Sequence, residues 1–239
     1  MISFDYLVAT ATISIIMNSL RSVASVNEYF VKQDLESILC VREQTQKILD
    51  EIVSVIKPGL RESEAYKLLK EIYARYGITR SWHNPYLRFG TNTILTYKNT
   101  AVEDILLKDD DIAFIDIGPL IGDLEGDLGT TLVFGDNEKF HALKAASEDI
   151  FNYGLEFFKA YKPSGKEMQE FISSKAQEMG YISLLDSTGH LIGNFSHSAV
   201  WNQGMATYEE KMQSGIWVLE VHIKDPELPY GAFYENILV

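Results

Sequence analysis

Asp116, Asp127, His190, Glu220 and Glu235 are placed where their neighbours ask for something apolar. Asp116 follows Ile112-Ala113-Phe114-Ile115. Asp127 comes eleven positions later, after Leu124-Glu125-Gly126 and before the run Leu128 to Phe134. His190 lies in "TGHLIGN", Glu220 interrupts "IWVLEVHI", and Glu235 interrupts "GAFYENILV". An isolated carboxylate taken out of water costs several kcal/mol unless something positive faces it. Lys and Arg total 21 against 34 Asp and Glu, and none lies within the runs that carry the four acids. Oxygen-rich donors with one imidazole suit hard or borderline divalent ions: Mn, Fe, Co or Zn. Four carboxylates and a histidine are more than one catalytic ion with an open position needs. They suit two ions bridged by carboxylates, about 3.5–4 Å apart. Any one of these acids reads equally well as an exposed strand end. The five together form a coherent ligand set.

The elements that must position this set alternate between helix and strand. From Asn27 to Tyr76 the chain reads as helices. Val41, Ile48, Ile52 and Ile56 fall near one face, and Pro58-Gly59 ends that helix. A second amphipathic helix runs to Gly77, with Ser63 as the expected N-cap. From Arg80 to Val133 the texture becomes strand-like: "TILTYKN", "DIAFIDIG" and "GTTLVFGD". Two more helices follow, the second started by Ser164, and then loop and strand to the last residue. The order helices, strands, helices, strands hints at a duplicated α+β unit. With no Pro/Gly/Ser-rich linker between the halves, one compact domain is expected. Gly118, Pro119 and Gly122 would turn the chain so that Asp116 and Asp127 face one another.

Composition narrows the partners. A net charge of -13 argues against nucleic acid and anionic membranes. The apolar stretch from Tyr6 to Leu20 is interrupted by Thr and Ser and is short for a spanning helix. It reads as a packed helix or an oligomer contact rather than a targeting segment. The single cysteine, Cys40, excludes an intrachain disulfide and fits a reducing compartment. Its apolar neighbours suggest a buried structural thiol.

The constellation resembles the pita-bread metallohydrolases: methionine aminopeptidase, aminopeptidase P, prolidase and creatinase. That family has two aspartates eleven positions apart, a histidine in Gly-His-x-x-Gly, and two glutamates on late strands. "GHLIG" at Gly189 to Gly193, "LEVHI" and "YENILV" match, and His197 lies seven positions after His190, where the family has a second histidine. The match covers roughly Glu43 to Val239. "SWHNPYLRFGTNTILTYKN", "DIGP" and "GHLIG" together look like a short bacterial, aminopeptidase P-like branch. The resemblance implies an α+β pita-bread fold, with two pseudo-symmetric α/β halves and a curved antiparallel sheet. Residues 41–239 would be the catalytic domain and residues 1–40 a helical extension.

The resemblance also implies roles. Asp116, Asp127, His190, Glu220 and Glu235 would hold two divalent metal ions, and hydrolysis would proceed through a metal-bridging hydroxide. Glu220 would also shuttle the proton to the leaving amine, and His197 would hydrogen-bond the substrate carbonyl. Lys98 stands eighteen positions before Asp116, where the family's peptidases carry a histidine that handles substrate. His83 is a candidate to replace it, or else a loop histidine beside Trp82. Arg88 could bind a substrate carboxylate or form an ordinary salt bridge, and Lys98 could act similarly or sit in solvent. His222, two residues from Glu220 on one strand, shares its face and is a further substrate-binding candidate. Valine rather than proline follows Glu220, and the interval to Glu235 is short, so methionine aminopeptidase itself is disfavoured.

The expected protein is thus a dinuclear aminopeptidase or dipeptidase acting on small peptides, cytoplasmic and homodimeric. Two alternatives stay open. One is a creatinase-like hydrolase or metal-dependent lyase acting on a small molecule. The other is a metal-free binding protein.

Overall fold

The computed structural model describes residues 35–199 and 201–239. The apolar stretch from Tyr6 to Leu20 and most of the expected extension lie outside them. The first half contains helices α1 (Leu35–Val55) and α2 (Glu62–Arg75), then strands β1 (Tyr86–Phe89), β2 (Asp111–Ile117), β3 (Leu120–Ile121), β4 (Leu124–Glu125) and β5 (Leu128–Phe134). The second half repeats the order with helices α3 (Glu138–Tyr161) and α4 (Gly165–Glu178). Strands β6 (Ile182–Ser183), β7 (Gly189–Ile192), β8 (Ile216–Lys224) and β9 (Gly231–Ile237) follow. The expected duplication of helix pair and strands is therefore present.

The main sheet runs β1-β2-β5-β9-β8-β6, with β7 also paired to β8. All its named pairs are antiparallel. The halves join at the centre, where Gly129 of β5 pairs with Glu235 of β9. Residues alternate between the two faces of a strand. On β2, Ala113, Ile115 and Ile117 join a core with Ile48, Ile52, Leu69 and Ile72 of α1 and α2. On β8, Trp217, Leu219, Val221 and Ile223 join a core with Ile150, Phe158, Met168 and Ile172 of α3 and α4. The other face of these strands carries Phe114, Asp116, Glu220 and His222, which line a cavity. Both faces are covered, one by helices and one by the site, so the carboxylates appear in otherwise apolar runs.

Helix ends show where local sequence signals held. Ser164 caps α4 in a box with Glu167: its hydroxyl accepts from Glu167 N–H, and the Glu167 carboxylate accepts from Ser164 N–H. Ser63 does not cap α2. The N-cap is Arg61, two residues earlier, and Ser63 instead donates through N–H and hydroxyl to the Asp104 carboxylate. "TILTYKN" is not a strand. Gly90–Ile94 forms a 3₁₀ turn. Thr93 donates its hydroxyl to Gly90 C=O, and the Asn99 side chain accepts from Thr96, so local bonds replace a ladder. Cys40 is exposed rather than buried. The buried stripe of α1 passes through Ile38, Val41, Thr45, Ile48 and Ile52, and Cys40 points away from it. No helix among the described residues is long and apolar enough to cross a membrane.

Candidate metal centre

The sheet register draws the site. One row of partners crosses the strands: Tyr86, Asp116, Gly129, Glu235 and Glu220. Partners in a row present their side chains on the same face, so three of the four expected carboxylates come together from both halves. Gly129 sits in the middle of the row. A Cβ there would lie 2.2 Å from the Phe233 ring, so only glycine leaves space for it. Asp127 enters from the residues just before β5. The β3–β4 hairpin, with Gly122 at φ +65°, turns the chain between the two aspartates as the sequence implies. His190 comes from β7, opposite Val218.

His190 Nε2 is 3.0 Å from Asp127 Oδ2, 3.5 Å from Glu220 Oε1 and 4.0 Å from Glu235 Oε1. Both Asp127 oxygens, Asp116 Oδ1, Glu235 Oε2 and His190 Nε2 are buried without a well-aligned hydrogen bond. Buried polar atoms are nearly always satisfied, so these orphaned donors have the character of a cation site. One atom each from Asp127, His190 and Glu235 lies within 4.8 Å of the others, close enough to hold a metal ion. The donors fit a divalent cation by charge, by atom type and by spacing.

The electrostatics carry the same message. Burial pushes the Asp116 carboxyl up to about 7, with His83 pulling the other way. Burial also raises Glu220 to about 7, again against the pull of His190. Glu235 rises well above the ordinary glutamate range through burial and then through Asp127 and Asp116 beside it. Burial would raise Asp127 as well, yet the imidazoles of His190 and His83 facing it hold it low. Burial opposes charge on His190, but Asp127 lifts it to about 9. Such a set is costly without cations and relieved by them.

His83 lies deeper than a loop histidine. Its Nε2 is 3.4 Å from Asp116 Oδ1 and 3.5 Å from Asp127 Oδ1. Despite burial, Asp116 and Asp127 lift it to about 9. His197 also lines the cavity. Its Nδ1 is 2.9 Å from the Glu125 carboxylate, which also accepts from His197 N–H and from Gly193 N–H. A carboxylate only accepts, so Nδ1 carries a proton and Nε2 is the ring nitrogen left for the cavity. His222 lines the cavity between Phe114 and Phe233. Burial lowers it to about 4, so it is neutral and donates Nε2–H to Thr93 C=O at 2.7 Å.

The other two candidates lie apart. Lys98 is exposed and pairs with Asp186, although its neighbours Thr96 and Tyr97 line the cavity. The Arg88 guanidinium lies 5.4 Å from the centre of the Tyr86 ring, beside the cavity rather than in its lining.

Sequence reasoning passed over two residues. Trp82 touches three imidazoles, with ring centres 4.3 Å from His83, 4.8 Å from His190 and 5.1 Å from His197. Its Nε1–H donates to Gly126 C=O, two residues from Asp127's far neighbour Leu128. Glu125 is 1% exposed and orients His197. The signal for it was present: a third acid in "GDLEGD", amid glycines and apolar residues.

Fold and centre together define a metal-binding α+β protein. Residues 36–239 match the model of metallopeptidase family M24, and the chain belongs to that family. Solved structures agree on the fold. An X-Pro aminopeptidase from Thermotoga maritima aligns with TM-score 0.73 at 17% identity, over 89% of this chain and 60% of that one. Prolidase from Pyrococcus furiosus aligns with TM-score 0.71 at 20% identity, over 89% and 63%. Methionine aminopeptidase from Thermotoga maritima aligns with TM-score 0.62 at 16% identity, over 80% and 86%. The fold is thus the pita-bread fold, and the chain spans about three fifths of the length of the first two. The search of curated proteins returned no match.

Proposed function

We propose that the chain is a dinuclear metal-dependent hydrolase of the aminopeptidase P/prolidase type, acting on small peptides. The observation that carries this reading is the row Asp116, Glu235 and Glu220 on one sheet face, completed by Asp127 and His190, with atoms of Asp116, Asp127, His190 and Glu235 short of hydrogen bonds. These five residues would hold two ions, drawn from Mn, Fe, Co or Zn. When bound, such ions supply an activated water and a Lewis acid for the scissile carbonyl.

The chain's own residues do the rest. Glu220 Oε1 lies beside His190 and faces the cavity, where it can take the proton of the attacking water and return it to the leaving amine. Glu125 holds the His197 ring in one orientation, and with both ring nitrogens protonated Nε2–H would donate to the substrate carbonyl. Tyr86, Leu95, Tyr97 and Phe233 give the cavity apolar walls for a side chain. Arg88, on β1 beside the cavity, is the candidate for the substrate carboxylate. Residues 41–239 are the catalytic part of this reading. A homodimer, supported by the apolar segment 6–20, and a cytoplasmic location, supported by the single cysteine, complete it.

A second reading is a creatinase-like hydrolase or lyase of a small molecule. Lys98 favours it, because this lysine occupies the position of the peptidases' histidine and is committed to Asp186. Metal content and a panel of dipeptides and Xaa-Pro peptides test both. Two ions with peptide cleavage supports the first reading. Two ions without cleavage of any peptide moves the assignment to the second.

A further inference from the structure

The five residues carried by the resemblance offer two ions a single imidazole. The structure offers two. His83 Nδ1 lies 2.9 Å from the carbonyl of the next residue, Asn84. His190 Nδ1 lies 2.6 Å from the carbonyl of its own next residue, Leu191. A carbonyl only accepts, so each Nδ1 carries the proton and each Nε2 is left for the centre. This is how proteins present a histidine to a metal. The two imidazoles flank the same indole, Trp82.

What each Nε2 faces is also alike. His83 points at Asp116 Oδ1 and Asp127 Oδ1, and both oxygens are buried without a hydrogen bond. One donor atom each from His83, Asp116 and Asp127 lies within 4.8 Å of the others, as do those of Asp127, His190 and Glu235. Asp127 belongs to both groups. The chain makes room for the ring on purpose: a Cβ on Gly118 would lie 2.2 Å from His83 Cδ2 and 2.3 Å from its Nε2. A loop histidine resting in solvent needs no such gap in a strand end.

We propose that His83 is a sixth metal ligand, its Nε2 completing with Asp116 and Asp127 the donor set of one ion while His190 serves the other. This rests on the dinuclear reading above and deepens it. A second imidazole shifts the centre toward Fe, Co or Zn and away from Mn, which gains less from nitrogen donors.

The experiment loads metal-free wild type with Co(II) or Zn(II), counts ions per chain, and measures imidazole back-scattering by X-ray absorption at the metal edge. Wild type alone gives the first answer. One imidazole per ion on average is expected, against one shared between two ions if His83 stays out. His83→Ala should halve the histidine signal and weaken one of the two ions by about tenfold to a hundredfold or more, since even outer partners of metal ligands are worth that much. Gly118→Ala, which leaves every donor in the chain but displaces the ring, should weaken the same ion. Two ions in wild type, with histidine scattering, Co(II) spectrum and both affinities unchanged in His83→Ala, would overturn the inference and leave the dinuclear reading intact. No tight metal in wild type would overturn both.

Discussion

The floor and the rim of the cavity treat charge in opposite ways. On the floor, Asp127 and Glu235 are buried and Asp116 is half-buried; the three are crowded and short of hydrogen bonds, with no Lys or Arg paired to them among the described residues. At the rim, Lys98 and Asp186 are exposed and already paired. The same carboxylate chemistry is therefore under strain in one place and at rest in the other. Strain of this kind persists where a missing partner repays it. The floor asks for cations; the rim asks for nothing.

The largest expected difference comes from Asp127→Ala. It removes the oxygens shared by both three-residue groups, so tight metal binding and activity should both be lost. Dialysis followed by metal analysis checks this, and stoichiometric metal in the variant would break the contrast between floor and rim. Next is Glu125→Gln. The floor metal set stays whole, but the amide cannot accept from both the His197 ring and its N–H while keeping the carboxylate's charge. A kcat lower by about tenfold to a hundredfold is expected, the scale of a single general acid–base or oxyanion partner. Metal content should not change. Gly129→Ala comes third. Its Cβ would meet the Phe233 ring at 2.2 Å, an overpacking that costs about 1–3 kcal/mol. Thermal unfolding of the metal-free protein measures it.

The rim sits at the small end. Lys98→Ala should leave the thermal midpoint nearly unchanged, since solvent screens an exposed ion pair. The helix-cap carboxylate Glu167 offers a pH test well away from the floor. Lys211, and then the Ser164 N–H, hold it at about 2 against an ordinary value of 4.5. Its folded value lies below its unfolded one. Its contribution is therefore present above pH 4.5 and fades as the pH falls toward 2. Glu167→Gln should flatten that part of the acid unfolding profile, and urea melts across the range read it out.

Much of the floor was legible because strand periodicity makes an acid in an apolar run conspicuous. Asp116, Glu220 and Glu235 interrupt strands whose alternate residues pack on helices, and Gly-His-x-x-Gly marks His190. The duplicated helix–strand order was legible for the same reason. What stayed hidden depends on long-range approach. His83 reaches Asp116 across 33 positions and Glu125 reaches His197 across 72, and no local pattern encodes either meeting. Helix starts and the exposure of Cys40 were decided by neighbours such as Asp104 and by rotation around α1, which composition alone does not fix.

The central claim is that the floor holds two ions. The most direct measurement is metal content per chain, by inductively coupled plasma mass spectrometry, on protein purified without chelator and again after loading with Mn, Fe, Co or Zn. Close to two ions per chain is the result this account requires. Fewer than one ion per chain with every metal would contradict it.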